Sequence, residues 1–267
     1  MGAVLASSRP LPGLEPNKRV AVITGAGMGI GRATCIELAR THQVVVLDRD
    51  AGAGEATASA IEENGGKASF ARCDVSDEGA VKATAEAVSD RFGRIDLVIN
   101  NAGIMRRHAR IEEWTVAEFR QVVEINLVAC FTMVRHFVPE MAHGGAVINI
   151  SSLGALQPPY YSPPYAAAKA GLLAMTRALS QMLKPEGVRV NSVLPGLVDT
   201  PLVNTPGHPN MAGVDARMPA AEMGRAIAYV SQRDDWNGRH VLVTKNGSGF
   251  DMFFVEDPER APIPVPA

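Results

Sequence analysis

Cysteine is scarce in this chain: of 267 residues, only Cys35, Cys73 and Cys130 carry a thiol. An odd number set in periodic segments excludes a closed disulfide framework and reads as reduced thiols in a core, which predicts a cytoplasmic location. An excess of one charge is also missing. Twenty-six Lys and Arg against 28 Asp and Glu leave a net charge of -2, so neither nucleic acid nor an anionic membrane is an expected partner. The six histidines are scattered, and no His-Glu-x-x-His or Cys-x-x-Cys pair offers the ligand spacing of a metal site. No uninterrupted run of about 18 apolar residues occurs, so no membrane span is expected. Before Lys18 the only apolar patch is Ala3 to Ala6, with no leading basic residues, a poor signal peptide. Met1-Gly2 opens a myristoylation pattern whose Ser or Thr position is Ala6. With three prolines before Lys18, residues 1–18 are expected to form a flexible leader.

What is present is a soluble globular composition, 46% hydrophobic and 20% charged, at a length that suits one large α/β domain. Short β-branched runs alternate with longer amphipathic ones, the pattern of βαβ units. Strands are expected at Arg19 to Thr24, Gln43 to Asp48, Lys67 to Cys73, Asp96 to Asn100, Ala146 to Ser151, Arg189 to Val193 and His240 to Thr244. Helices are expected near Gly29 to Arg40, Gly52 to Glu63, Glu78 to Arg91, Thr115 to Met141, Pro164 to Leu183 and Ala220 to Ser231. Strands such as Val20-Ala-Val-Ile23 are apolar on both faces, as when helices cover a sheet on each side. The spacing thus predicts a seven-stranded parallel sheet in a single domain over residues 19–249, followed by a tail over 250–267. Between Pro201 and Pro219 the pattern breaks; four prolines stiffen this stretch, and Gly207 and Gly213 suit the hinges of a lid.

The first strand ends in Thr24-Gly25-Ala-Gly27-Met28-Gly29-Ile30-Gly31 and passes directly into a helix. Glycines at a strand-to-helix turn bring backbone N–H groups and a helix N-terminus up to a pyrophosphate. Asp48 ends the second strand, close to the offset at which a carboxylate meets an adenosine ribose. Such a carboxylate accepts a hydrogen bond from a 2′-hydroxyl and repels a 2′-phosphate, so NAD is expected over NADP. Arg49 beside it would hold a phosphate if turned inward. Tyr165 and Lys169 lie four apart in a helical run, with Cβ atoms about 6 Å apart on one face. A fixed ammonium there lowers a phenol pKa from its usual ~10, the shift a tyrosine base needs near neutrality. Ser151 and Ser152 lie just ahead, on opposite sides of a strand end.

Thr24-Gly25-x-x-x-Gly29-x-Gly31, Asn100-Asn101-Ala102-Gly103, Asn126, Ser152, Tyr165-x-x-x-Lys169 and Pro195-Gly196 stand in the order and spacing of the single-domain short-chain dehydrogenases/reductases. The chain resembles that family over about Val20 to Val243. The resemblance implies a Rossmann-type doubly wound fold and an NAD-dependent oxidoreductase that interconverts a secondary alcohol and a ketone. It implies Tyr165 as general acid/base, Ser152 rather than Ser151 as the group orienting the substrate oxygen, and Lys169 as the residue that lowers the phenol pKa and binds the nicotinamide ribose. Asn126 would hold a water linking Lys169 to solvent. In the cofactor cradle, Gly25, Met28, Gly29, Ile30 and Gly31 would face the phosphates, Asp48 and Arg49 the ribose edge, and Asp74 with Val75 the adenine. Asn101, Ala102 and Gly103 would pass under the adenosine ribose. Pro195 and Gly196 would carry the chain along the cofactor after the sixth strand, Val198 backbone atoms would fix the carboxamide, and Thr200 would hold a phosphate. Asp74 also suits the start of the following helix.

The family usually ends its last strand with an acidic residue and two glycines, where this chain has Thr244-Lys245-Asn246-Gly247. The departure concerns subunit packing more than chemistry, and a homo-oligomer, dimer or tetramer, is expected. Pro158-Pro159-Tyr160-Tyr161-Ser162-Pro163-Pro164 lies between the serine and the tyrosine, where the family lines its substrate site; such walls suit a bulky or cyclic molecule, and equally suit plain turn packing. Arg106 and Arg107 are candidates to meet a substrate carboxylate. Phe250, Met252, Phe253 and Phe254 are expected to pack on a neighbouring subunit or close over the site. Two other functions stay open: an NADPH-dependent carbonyl or ketoacyl reductase, and a dinucleotide-binding regulatory protein without turnover.

Overall fold

The β-branched runs become strands β1 (Arg19–Thr24), β2 (His42–Asp48), β3 (Lys67–Arg72), β4 (Ile95–Asn100), β5 (Met141–Ile150), β6 (Arg189–Pro195), β7 (His240–Asn246) and β8 (Gly249–Phe254). The computed structural model of the chain describes residues 18–204, 217–247, 249–257 and 261–264. The expected leader, apart from residue 18, and the hinge glycines Gly207 and Gly213 lie outside them. One sheet holds all eight strands in the order β3-β2-β1-β4-β5-β6-β7-β8. From β3 to β7 every pairing is parallel, as the doubly wound expectation requires. Strand order reverses between β1 and β4, and this switch point opens a crevice at the carboxyl ends of the strands.

β8 corrects the expected boundary at residue 249. It pairs antiparallel with β7, and Met252 is fully buried. Phe254 packs edge-on against Trp236, ring centroids 4.9 Å apart. Phe250 and Phe254 pack on the core cluster beneath α7 (Ala220–Ser231), and residues 250–254 do not line the crevice. The aromatic run therefore seals the edge of the chain's own sheet, because alternate side chains of a strand face the same side.

Helices α1 (Gly29–Leu38), α2 (Ala51–Glu63) and α3 (Glu78–Phe92) return the chain between strands. Asp50 and Asp77 cap α2 and α3, accepting from Ala53 N at 3.1 Å and Ala80 N at 3.0 Å. α1, α2 and α7 cover one face of the sheet, and α3 with the helices of the middle segment covers the other. That segment, expected as one helix over Thr115 to Met141, is broken. It runs as α4 (Val116–Val123), a π-helical stretch at Glu124–Val128, α5 (Ala129–Phe137) and a 3₁₀ turn at Val138–Glu140. The side chain of Asn126 donates to the Val122 carbonyl, four residues back, at 2.8 Å. A side-chain donor on that carbonyl competes with the backbone ladder and favours a π-bulge. Over Val116–Glu140 the helix is long and apolar enough to span a membrane, with mean hydropathy 1.3, yet half of that stretch is buried. Ile125, Ala129, Met133 and Phe137 pack it against the sheet. A long helix, α6 (Pro163–Met182), carries Tyr165 and Lys169 along the same face.

Candidate active site

The carboxyl ends of β1, β2, β3, β4, β5 and β6 open into one cleft of about 640 Å³. Every catalytic and cofactor-binding residue singled out in the sequence lines it except Gly31. Gly31 lies behind the wall, where a Cβ would overlap the Gly25 carbonyl oxygen. Gly25 and Gly29 adopt left-handed φ values of 60° and 55°, open to glycine at little cost. A Cβ on Gly25 would stand 2.8 Å from the Ala102 Cα, so the two loops touch through backbone. Thr24 Oγ1 accepts from the N–H groups of Asn101 and Ala102, each at 3.0 Å, and Asn101 Nδ2 donates to the Thr24 and Gly25 carbonyls. Met28, at the N-cap of α1, provides no side-chain cap. The helix therefore presents uncapped N–H groups to the cleft, the arrangement that receives phosphate.

Asp48 holds the same turn from the other side. Its Oδ2 accepts from Gly27 N at 2.8 Å and its Oδ1 from Asp50 N at 3.0 Å. Asp74 accepts from both the N–H and the hydroxyl of Ser76, which holds its carboxyl below the usual range. The cap of α3 is Asp77, which corrects the alternative reading of Asp74 as a helix-start residue. Thr200 is buried, with its Cγ2 3.3 Å from where a Gly29 Cβ would lie. These contacts fit a dinucleotide: an uncapped helix start, a carboxylate at the edge of β2, and glycines in the turn between them where a Cβ would press on neighbouring atoms.

At the other end of the cleft, Ser152 Oγ accepts from Gly154 N at 3.0 Å and stands close enough to Tyr165 to stabilise its ionised form. The Ser151 hydroxyl instead donates to the Lys169 carbonyl at 2.8 Å, which leaves Ser152 as the serine beside Tyr165. Tyr165 and Lys169 are 6% and 4% exposed. Lys169 Nζ lies 5.7 Å from the Tyr165 ring centroid and donates to the Ile150 carbonyl at 2.7 Å. Burial lowers the Lys169 pKa to about 8 and raises that of Tyr165. This departs from the expectation of a phenol lowered by Lys169. Ser152 and the Arg107 guanidinium are the groups pulling the phenol down, and burial outweighs them.

Asn126 donates to Ile104 O and Val122 O, both at 2.8 Å, while its Oδ1 is buried with no hydrogen-bond partner among the described residues. A Cβ on Gly103 would approach that Oδ1 to 2.6 Å and Lys169 Nζ to 3.7 Å. An acceptor without a partner beside a buried ammonium is what a bridging water requires. Sequence reasoning missed the Ile150 carbonyl that holds Lys169, and a buried chain in which Asn100 donates to Asn149 and Asn149 to Thr176. Asn149 was findable as the one polar residue inside Ala146-Val-Ile-Asn-Ile150. The two candidate arginines separate: Arg106 points to Gln121 at 3.4 Å, and Arg107 lines the cleft.

The sheet order, the uncapped glycine turn and the serine–tyrosine–lysine group describe a nucleotide-dependent oxidoreductase. The family model for short chain dehydrogenases matches residues 19–209, and the chain belongs to that family. It is 37% identical over 222 residues to cis-4-hydroxycyclohexanecarboxylate dehydrogenase of Sinomonas cyclohexanicum, covering 80% of this chain and 89% of the relative. It is 36% identical over 190 residues to cyclohexanol dehydrogenase of Acinetobacter sp. (strain SE19), covering 70% and 76%. The crystal structure of levodione reductase superposes with a TM-score of 0.79 at 32% identity, over 85% of this chain and 96% of that one. Members of the family use nicotinamide dinucleotides.

Proposed function

We propose that the chain interconverts a secondary alcohol and a ketone with NAD, and that Tyr165 exchanges the proton. The observation that carries this reading is the meeting of Ser152, Tyr165 and buried Lys169 in one cleft with the uncapped start of α1 and Asp48. Bound NAD supplies the hydride acceptor. Ser152 holds the substrate oxygen beside the Tyr165 hydroxyl, a dipole fixed before the reaction begins. As the neutral phenol, Tyr165 donates its proton to a ketone oxygen, and as the phenolate it accepts the proton of an alcohol. Lys169, held on Ile150, and Asn126 with its free Oδ1 form a polar path leading away from the phenol.

Asp48 favours NAD, since its carboxylate stands where a 2′-phosphate would bring like charge. The NADPH-dependent reductase reading keeps one supporting observation: Arg49 lines the same cleft, and its charge acts on Asp74. The substrate end is walled by Ile104, Met105, Leu153, Pro159, Leu197 and Val203. That apolar lining, with relatives named for cyclohexanol and hydroxycyclohexanecarboxylate, supports a cyclic or bulky alcohol. We read the chain as cytoplasmic from its three buried free thiols. We read it as a homo-oligomer from the apolar side chains on the outer face of α4 and α5, where Phe119 and Phe131 are 44% and 49% exposed.

Purified protein screened against cyclic secondary alcohols and ketones with each dinucleotide tests the reading through nicotinamide absorbance. Turnover with NAD ahead of NADP is expected. Preference for NADP would transfer the chain to the reductase class, and dinucleotide binding without turnover of any substrate would leave only the non-catalytic reading.

A further inference from the structure

Charge is unevenly placed along the cleft. Its carboxylates Asp48, Asp50 and Asp74, together with Arg49, lie at the carboxyl ends of β2 and β3, around the glycine turn. At the far end, among apolar walls, stands Arg107, two residues past the Ile104-Met105 pair that follows β4. Its charge acts on the phenols of Tyr161 and Tyr165, which places it beside the reacting end of the cleft.

The guanidinium has five donors in a fixed fork. One, on Nη2, reaches the Leu202 carbonyl at 2.8 Å. Nε is buried with no hydrogen-bond partner among the described residues, and no described carboxylate pairs with Arg107. A guanidinium with a buried, unpartnered Nε and no counter-ion among the described residues is stabilised by an anion arriving in the cleft. Every other described cation on the wall is engaged elsewhere: Lys169 on Ile150, and Arg49 at the opposite end beside Asp74.

We propose that Arg107 anchors a carboxylate on the substrate, so that the natural substrate is a bulky or cyclic secondary alcohol, or its ketone, bearing an acid group remote from the reacting carbon. This rests on the dehydrogenase reading of the same site and narrows its substrate class. The planar fork suits a carboxylate, and Arg107 lines the same cleft as Tyr165, so one substrate can meet both groups.

The test compares each acid with its uncharged carboxamide, using 4-hydroxycyclohexanecarboxylate and 3-hydroxycyclohexanecarboxylate as the acid members, with neutral cyclohexanol alongside. The wild-type enzyme is expected to favour at least one acid over its amide in kcat/KM. In Arg107→Met that acid-to-amide ratio should fall about 30- to 100-fold, the scale of losing a charged hydrogen-bonded partner, mostly through KM. Arg107→Lys, which keeps the charge and loses the fork, should restore part of the ratio. Cyclohexanecarboxylate, which has no hydroxyl to oxidise, should inhibit wild type competitively against the alcohol, and Arg107→Met far less. Turnover of neutral alcohols with no acid preference overturns the anchor and leaves the dehydrogenase reading standing. Equal losses for acid and amide in Arg107→Met also overturn it, since they assign Arg107 to Tyr165 or to the Leu202 loop alone. Absence of turnover for every alcohol would overturn the dehydrogenase reading itself, and this inference with it.

Discussion

Lys169 Nζ donates to the main-chain carbonyl of Ile150 at 2.7 Å, fixing α6 against the end of β5. The next residue answers: Ser151 donates its hydroxyl to the Lys169 carbonyl at 2.8 Å. Tyr165, one helical turn before Lys169, is thereby set beside Ser152 rather than Ser151. Burial is the largest influence on the phenol and raises its pKa.

Tyr165→Phe should bind NAD with nearly unchanged affinity and lose about 10²–10⁴-fold in kcat, the range that proton transfer by a positioned side chain contributes. Because burial raises the phenol pKa, its ionised fraction grows with pH. Alcohol oxidation by wild type should therefore accelerate toward alkaline pH, while ketone reduction slows. Parallel rate profiles for the two directions, or an active Phe variant, would remove Tyr165 from the proton-transfer role.

The buried Lys169 also links stability to pH. Its folded pKa, about 8, lies below the unfolded value of 10.5, so between these limits the unfolded chain binds more protons than the folded one. Stability contributed at this site rises with pH across that window. Relative to Lys169→Met, wild type should gain melting temperature as pH climbs past 8. Calorimetry on the two proteins over a pH series measures this, and a constant difference would mean that Lys169 is not desolvated as described.

Asp48→Ala removes both the acceptor of Gly27 N and the negative charge at the edge of β2. KM for NAD should rise about tenfold or more, the scale of one charge-assisted hydrogen bond, while KM for NADP falls. Steady-state kinetics with both dinucleotides would decide it; an unchanged preference would place the ribose elsewhere.

Phe131→Glu on the outer face of α5 puts a charge into an exposed apolar surface, with Phe131 itself 49% exposed. If this face joins copies of the chain, light scattering after size exclusion should show a smaller particle than wild type, with the monomer fold intact by circular dichroism. An unaltered mass would move the interface off these helices.

Much of the site was legible because its chemistry is local. Gly25, Gly29 and Gly31 sit in one turn, Tyr165 and Lys169 on one helix face, and the strand runs are continuous, so period and spacing were enough to find them. Asn126 was legible as a residue but not as a cause: its side-chain bond to Val122 and the π-helical stretch around it depend on Ile104 arriving from another part of the chain. β8 was misread as a tail, since a short aromatic segment becomes a strand only when an edge such as β7 is there to pair with it.

The order of β1 to β7, the glycine turn, the carboxylate at the end of β2 and the tyrosine–lysine spacing were determined by the sequence itself, since each depends on side-chain period or backbone freedom within a few residues. Tertiary structure alone decided which serine faces the phenol, which arginine enters the cleft, and that burial raises Tyr165 while lowering Lys169. These depend on desolvation and on contacts between segments tens of residues apart, and neither is encoded in any single stretch of the chain.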